Sequence, residues 1–295
     1  MGKLAWKVLV PAKVNLSLKI YPKDFSGYHP LLSLMAMVSL YDEILYKPSG
    51  SFRVEVTGRN IVGEPTSVIR AAEILASLSN QRLEGSLLLK KRIPDQAGFG
   101  GGSGDAAATL MLLCKAWRLH YQRKDLMQLG RHIGSDVPFF FTPTGAAIVS
   151  GCGEVVEPVT LKHLVMVLAK GNDGMETKTA FQMWDNEPIT VVADPAQLVQ
   201  ALNEKNWLLA KKLAVNAFQK LIASEKKEVA QLLTVLEKKG ARVAVMSGSG
   251  TGVLGIFSSI SDARRCAAEL RSCGWWTKVV WTRKRGLLVQ KLELR

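Results

Sequence analysis

Cysteine is scarce in this 295-residue chain. The four present, Cys114, Cys152, Cys266 and Cys273, form no CxxC pair and no metal-ligand spacing. This excludes a dithiol redox motif and a cysteine zinc site, and it suits a reducing cytosol. An uninterrupted membrane-length apolar run is also missing. The longest uncharged stretch, Val243 to Ser261, contains Gly248, Gly250, Gly252, Gly255 and five serines, so no transmembrane partner is expected. The N-terminus has no signal-like apolar core with a cleavage site, and the expected location is cytoplasmic. Acidic residues are the minority, 25 against 39 Lys and Arg, giving a formal charge of +14. The last third holds most of that excess, with 18 basic and 7 acidic residues between 201 and 295. Lysine pairs such as Lys211-Lys212, Lys226-Lys227 and Lys238-Lys239 sit on helical faces without interleaved aromatics, as a solvated surface does, so no nucleic-acid partner is expected. A positive field also attracts a substrate carrying several phosphates. Nothing in the sequence sets an oligomeric state.

Two familiar phosphate loops are absent as well. No glycine loop ends in Gly-Lys-Ser/Thr, and a dinucleotide fingerprint begun at Gly98-Phe-Gly100 meets Ser103 where its last glycine belongs. What stands there instead is Ile93-Pro-Asp-Gln-Ala-Gly-Phe-Gly-Gly-Gly-Ser-Gly-Asp105, directly before an apolar run from Ala106 to Trp117. Glycines 98, 100, 101, 102 and 104 allow close backbone approach, so N–H groups can point at phosphate oxygens while the next helix adds its positive end. An isolated cluster of this kind reads as a flexible linker. Asp105 as an N-cap and the clean helix behind it favour a nucleotide site.

With 47% hydrophobic and 22% charged residues, the chain is long enough for two globular domains. The spacing predicts strands at 8–20, 52–56, 86–92 and 146–150, with a mixed apolar segment at 31–42. Helices are expected at 68–78, 106–117 and 124–133. The second half reads as a strand at 164–169, helices between 195 and 239, strands at 243–246 and 253–257, a helix at 261–273 and a strand at 277–282. The class is α+β, divided near 157–162 into units 1–160 and 161–295.

Four further segments join the glycine loop: Pro11-Ala-Lys13-Val-Asn15-Leu, Gly27-Tyr28-His29, Gly134-Ser-Asp136-Val-Pro138 and Gly248-Ser-Gly250. Together and in this order they resemble the motifs of the GHMP small-molecule kinases. The resemblance implies a ribosomal-protein-S5-like N-terminal domain on a ferredoxin-like C-terminal domain, with an ATP and Mg²⁺-ATP site in the cleft between them. The Gly-Tyr-His and Asp-Val-Pro elements resemble the branch whose acceptor is a cytidine diphosphate conjugate. By resemblance, Asp136 is the base toward the acceptor hydroxyl and Lys13 holds that aspartate. Lys13 lies in an apolar run, Val8 to Leu18, where an unpaired ammonium is costly, which independently calls for a partner such as Asp136.

The same resemblance assigns Pro94, Ala97, Gly98, Gly100, Gly101, Gly102, Ser103 and Gly104 to ATP, and places Lys91 to reach the nucleotide. It gives Tyr28 and His29 the cytosine ring, Phe181 its other face, Asn15 the substrate near Lys13, and Gly248 and Gly250 a second nest of N–H groups. It names no metal ligands. The loop departs from the family pattern: Gln96 replaces a glycine, Phe99 a leucine and Gly104 a serine. Asn216-Ala-Phe-Gln219 stands where many relatives have Asn-Asp-Leu-Glu. Two other readings compete. A GHMP kinase acting on homoserine or a sugar leaves Tyr28-His29 without a ring to read, and a basic RNA-binding protein leaves Lys13, Asp136 and both glycine turns unexplained.

Overall fold

In the first strand, the apolar residues change sides partway along. The computed structural model describes residues 4–58 and 65–293, and it opens with β1 (Leu4–Ile20). Val8 and Val10 face a core beneath helices, whereas Ala12, Val14 and Leu16, at the same alternation, face a second core. The pairing of β1 with β2 (Leu31–Lys47) is irregular between Pro11 and Ala12, and a bulge is the usual way a strand exchanges its faces. Proline has no N–H to give the ladder, so it sits well at such a break. The exchange turns Lys13 and Asn15 to the face that Val8 and Val10 occupy earlier, and there they meet the glycine loop.

The chain continues through β3 (Arg53–Gly58), α1 (Thr66–Ser79), β4 (Ser86–Lys91), α2 (Gly101–Ala116), α3 (Arg123–Ile133) and a single 3-10 turn at Pro138–Phe141. Strands β5 (Ala146–Gly151) and β6 (Val155–Val159) come after it, then β7 (Val165–Lys170). Five helices come next: α4 (Thr177–Asn186), α5 (Pro195–Glu204), α6 (Trp207–Leu213), α7 (Gln219–Glu225) and α8 (Lys227–Lys238). The hairpin β8 (Val243–Met246) and β9 (Val253–Phe257), α9 (Ile260–Ser272), β10 (Trp276–Trp281) and β11 (Val289–Glu293) close the chain.

The first sheet runs β11-β1-β2-β4-β3, and β5 pairs with the other half of β2 and with β6. The second sheet is antiparallel in the order β10-β7-β9-β8. Counted within that unit the order is 4-1-3-2 with helices between strands one and two and between three and four, which is the ferredoxin-like plan the sequence implied. A core of Ala12, Val14, Leu34 and Ala36 from the first sheet with Met166, Leu168, Val245 and Leu254 from the second welds the units together. Such a shared apolar seam resists the sliding expected of a small polar interface.

Five features differ from the sequence expectations. The segment at 31–42 is a 17-residue strand reaching Lys47, since it serves two partners on one side. The expected boundary at 157–162 begins inside a strand, Val155–Val159. Thr177–Asn186 is an unforeseen helix, and β11 returns to the first sheet beside β1. Finally, α2 begins at Gly101, five residues before the predicted start, so Asp105 is not an N-cap but a buried residue of the second turn. Glycines are poor helix formers, and periodicity could not detect them.

Gly104 faces inward. A Cβ there would stand 2.8 Å from Val10 Cγ1 and 3.0 Å from Phe140 Cε1, so Phe140 fills the space that a serine at this position needs. Gly104→Ser is expected to cost about 1–3 kcal/mol by overpacking. Thermal unfolding checks this, and the loss should shrink when the substitution is made in a Phe140→Leu background.

Candidate active site

Lys13 is 3% exposed, and its ammonium finds two acceptors: Asn15 Oδ1 at 2.6 Å and Asp136 Oδ2 at 3.1 Å. Asp136, 28% exposed, reaches the site from the turn between α3 and the 3-10 segment. That turn is tight, with Val137 N–H donating to the Gly134 carbonyl, and buried Val137 and Phe139 anchor the chain just beyond Asp136. Asn15 Nδ2 donates to Ser33 Oγ at 2.8 Å, which donates to the Ser17 carbonyl at 2.6 Å, so Asn15 holds one rotamer. The pairing inferred from Lys13's apolar surroundings is therefore formed, and Asn15 is its third member.

The glycine loop lies alongside this group. Lys13 N–H donates to the Phe99 carbonyl at 2.9 Å, and a Cβ on Gly100 would come within 3.0 Å of Lys13 Cε. Gly100 has φ +68° and caps α2 without a side-chain acceptor. The first N–H groups of a helix have no intrahelical partner, so those of Gly101, Gly102 and Ser103 are donors for an anion at its positive end. Gly98, Gly100, Gly102 and Ser103 line a cleft of about 320 Å³ with Lys13, Asn15 and Asp136.

The second glycine turn interlocks with the first. Thr251 and Gly252 N–H donate to the carbonyls of Gln96 and Ala97 at 3.2 and 3.1 Å. A Cβ on Gly98 would collide with the Ser247 carbonyl, and one on Gly250 with the backbone of Ala97 and Gly98. Ser247 Oγ accepts from Asn15 N–H and donates to the Gly98 carbonyl, each at 3.1 Å. Gly248 and Ser249 line the cleft, whereas Gly250 lacks a side chain because the loops touch there. Sequence reading missed Asn216, whose buried amide donates to the carbonyls of Met246 and Gly248 at 2.8 and 2.9 Å and so pins this turn.

Several predicted residues lie elsewhere. Lys91 does not face the cleft: its ammonium donates to Asp42 Oδ2 at 2.5 Å and Asp105 Oδ2 at 2.7 Å beneath the start of α2. A lysine ending a strand is indistinguishable by sequence from one aimed at a ligand. Ala97 and Gly101 are backbone elements of the loop, Pro94 borders a different cavity, and Gly104 is packed inside. Tyr28 is 67% exposed on the loop joining β1 and β2 and does not line the cleft. His29 is buried behind it, with Nδ1 2.8 Å from the Tyr21 carbonyl, which requires Nδ1–H as donor. Its ring stacks on Phe181 at 5.3 Å and meets Trp184 edge-on at 5.1 Å. Nε2 lies 2.9 Å from Asp185 Oδ1, in range of its charge but at an angle that makes no hydrogen bond. His29 thus backs Phe181 instead of presenting a free edge. Phe181 does line the cleft, supported edge-on by Phe218 at 5.0 Å. Among the described residues no cluster of three His, Cys, Asp or Glu side chains can hold a metal, and no helix is long and apolar enough to cross a membrane.

A glycine loop opening a helix beside a buried lysine and an aspartate, in a cleft walled on the other side by Phe181 and Gly248 of the second unit, defines a phosphoryl-transferring enzyme. Residues 66–143 match the family model described as GHMP kinases N terminal domain, and residues 198–274 match GHMP kinases C terminal. The chain belongs to the GHMP kinase family. Among its relatives, 4-diphosphocytidyl-2-C-methyl-D-erythritol kinase of Citrifermentans bemidjiense is 38% identical, the match covering 94% of this chain and 98% of that one. The enzyme of the same name from Thermodesulfovibrio yellowstonii is 31% identical, with 92% and 95% covered. A crystal structure of 4-(cytidine 5'-diphospho)-2C-methyl-D-erythritol kinase superposes with a TM-score of 0.80 at 29% identity, covering 95% of this chain and all of the other.

The Lys91 group determines how the loop is held. Burial alone would push the Lys91 ammonium down in pKa, but Asp105 and Asp42 together push it up, so it stays charged. Asp42 is well satisfied, since its Oδ1 also accepts from the N–H groups of Arg92 and Ile93. Asp105 is the odd carboxyl: burial pushes it up to about 7 against the pull of Lys91, and its Oδ1 has no partner among the described residues. The folded protein therefore holds a proton that an unfolded chain releases near its ordinary value of 3.8, and stability falls as pH rises from there to about 7. Asp105→Asn should flatten that slope in denaturant titrations. Lys91→Met leaves Asp42 and Asp105 buried without the cation that both contact and should cost about 3–5 kcal/mol.

Proposed function

We infer that this chain phosphorylates the 2-hydroxyl of 4-diphosphocytidyl-2-C-methyl-D-erythritol with ATP, releasing ADP, in the non-mevalonate route to isoprenoid precursors. One observation carries the mechanism: the 3.1 Å contact of Lys13 Nζ with Asp136 Oδ2 at the mouth of a helix whose first N–H groups are free for phosphate. Phosphoryl transfer demands little covalent chemistry of the protein; it needs in-line placement and neutralised charge. Asp136, the more exposed partner, accepts the acceptor's hydroxyl proton. Lys13 stays between that carboxylate and Asn15, where it stabilises the alkoxide and the oxygens of the transferred group. Gly98 to Ser103 hold the ATP phosphates, and Mg²⁺ arrives as the ATP complex.

The names of the relatives support the cytidine acceptor, and Phe181 supplies one face for its ring. Tyr28, exposed on the loop joining β1 and β2, supplies the other. His29 acts from behind Phe181 by fixing its orientation, a different task from reading the base edge. The chain divides near residue 160, with the strand Val289–Glu293 returned to the first unit. The ligands are small molecules and the setting is the cytoplasm; nucleic acid has no place in this reading.

Purified protein with ATP and Mg²⁺ is expected to release ADP with the cytidine diphosphate acceptor but not with homoserine, mevalonate or galactose; turnover of another acceptor alone would discard the cytidine assignment. Asp136→Asn should lower kcat by about 10²–10⁴-fold while ATP affinity changes little. Phe181→Ala should raise KM for the cytidine compound, a lost stacking contact being worth about 1–3 kcal/mol, and leave KM for ATP in place.

A further inference from the structure

A second cavity, of about 540 Å³, shares only Gln96 with the catalytic cleft. Its size suits a small organic ligand. Lys170, Arg271, Trp275 and Trp276 line it together with the Pro94–Gln96 segment. Lys170, at the end of β7, is 9% exposed and donates to the carbonyls of Gly171 and Asp173 at 3.2 and 2.8 Å. An ammonium has three N–H groups, so one remains. Burial pushes its pKa down despite the more distant carboxylates Glu228, Asp173 and Asp95, a sign that its charge is under-compensated. Arg271, in the last turn of α9, is exposed and makes no ion pair among the described residues. Trp275 is steadied by its Nε1–H on Glu228 Oε1 at 3.3 Å, and Trp276 packs on Phe99 of the glycine loop at 6.1 Å. Asp95 supplies an acceptor for hydroxyl groups.

Two cations, two indole rings and one carboxylate around such a space match a phosphate, a flat base and sugar hydroxyls. The cavity is wired to the loop. The Asp173 carbonyl that takes Lys170 also takes Thr251 Oγ1 at 2.7 Å, and Thr251 N–H donates to Gln96 O. Gln96 itself stands at φ +54°, strained for a residue with a side chain, and that side chain lies where Gly174 leaves room for it. Gln96, which departs from the glycine of the resembled pattern, is thus one part of the cavity wall.

We propose that this cavity is a second nucleotide site, taking a nucleoside monophosphate with its phosphate on Lys170 and Arg271, its base against Trp275 and Trp276 and its sugar hydroxyls toward Asp95. Occupancy needs no turnover, so it stands or falls separately from the kinase assignment. The test is tryptophan fluorescence of the full chain, saturated with ATP and without acceptor, titrated with AMP, GMP, CMP and UMP, and with inorganic phosphate and ribose 5-phosphate as baseless probes. At least one monophosphate should quench saturably, more tightly than either baseless probe. Arg271→Glu, an exposed change that leaves the fold alone, and Lys170→Gln should each raise the Kd by about tenfold or more. Absence of quenching with all four, binding of phosphate as tight as that of the nucleotides, or an unchanged Kd in Arg271→Glu would overturn the proposal.

Discussion

Lys13 places a positive charge within a strand, between valines and leucines, where little of it meets water. An unpaired ammonium in such surroundings is among the most costly arrangements a protein can hold. Much of the site is arranged to satisfy it. Asn15 two residues on, Asp136 from a different element and a strand break at Pro11–Ala12 are all needed to bring acceptors to one nitrogen. The backbone of the same residue carries the glycine loop through the Phe99 carbonyl, and Gly100 must lack a side chain because Lys13 passes beside it. The base, the cation and the phosphate cradle are thus held by one residue.

That arrangement stays put because the two units share a core and their glycine turns interlock. Ser247 touches both β1 and the loop, and Asn216 holds the turn that presents it. Under the loop, Lys91 between Asp42 and Asp105 ties β4, β2 and α2 at one point. A pre-formed cleft suits phosphoryl transfer, in which the protein contributes position and charge more than bond-making.

The strand and helix order was legible wherever apolar periodicity was clean, as at 68–78, 243–246 and 253–257. It failed where the local signal was overridden. The glycines opening α2 look like loop, yet they form its first turn, packed closely on Lys91, Ile93, Val10 and Phe140. The short polar α4 carries its meaning only through Phe181, Trp184 and Asp185 lying together over His29, a tertiary fact. Within the site, Lys13, Asn15 and Asp136 were readable because burying a charge demands partners. The partners of Lys91 escaped the sequence because its carboxylates are 49 and 14 residues away, and no spacing rule finds them. Gly250 and Gly104 look like phosphate contacts in the sequence, whereas packing against Gly98 and Phe140 is what excludes side chains there.

The claim that Lys13 and Asp136 act as one unit is tested most directly by a double-mutant cycle on kcat/KM with the cytidine diphosphate acceptor, using Lys13→Met, Asp136→Asn and the double variant. Groups that act together give strongly non-additive losses. The double variant is therefore expected to be scarcely slower than the worse single one. Losses that multiply would mean that the two residues work independently, and the account of a shared catalytic pair would be wrong.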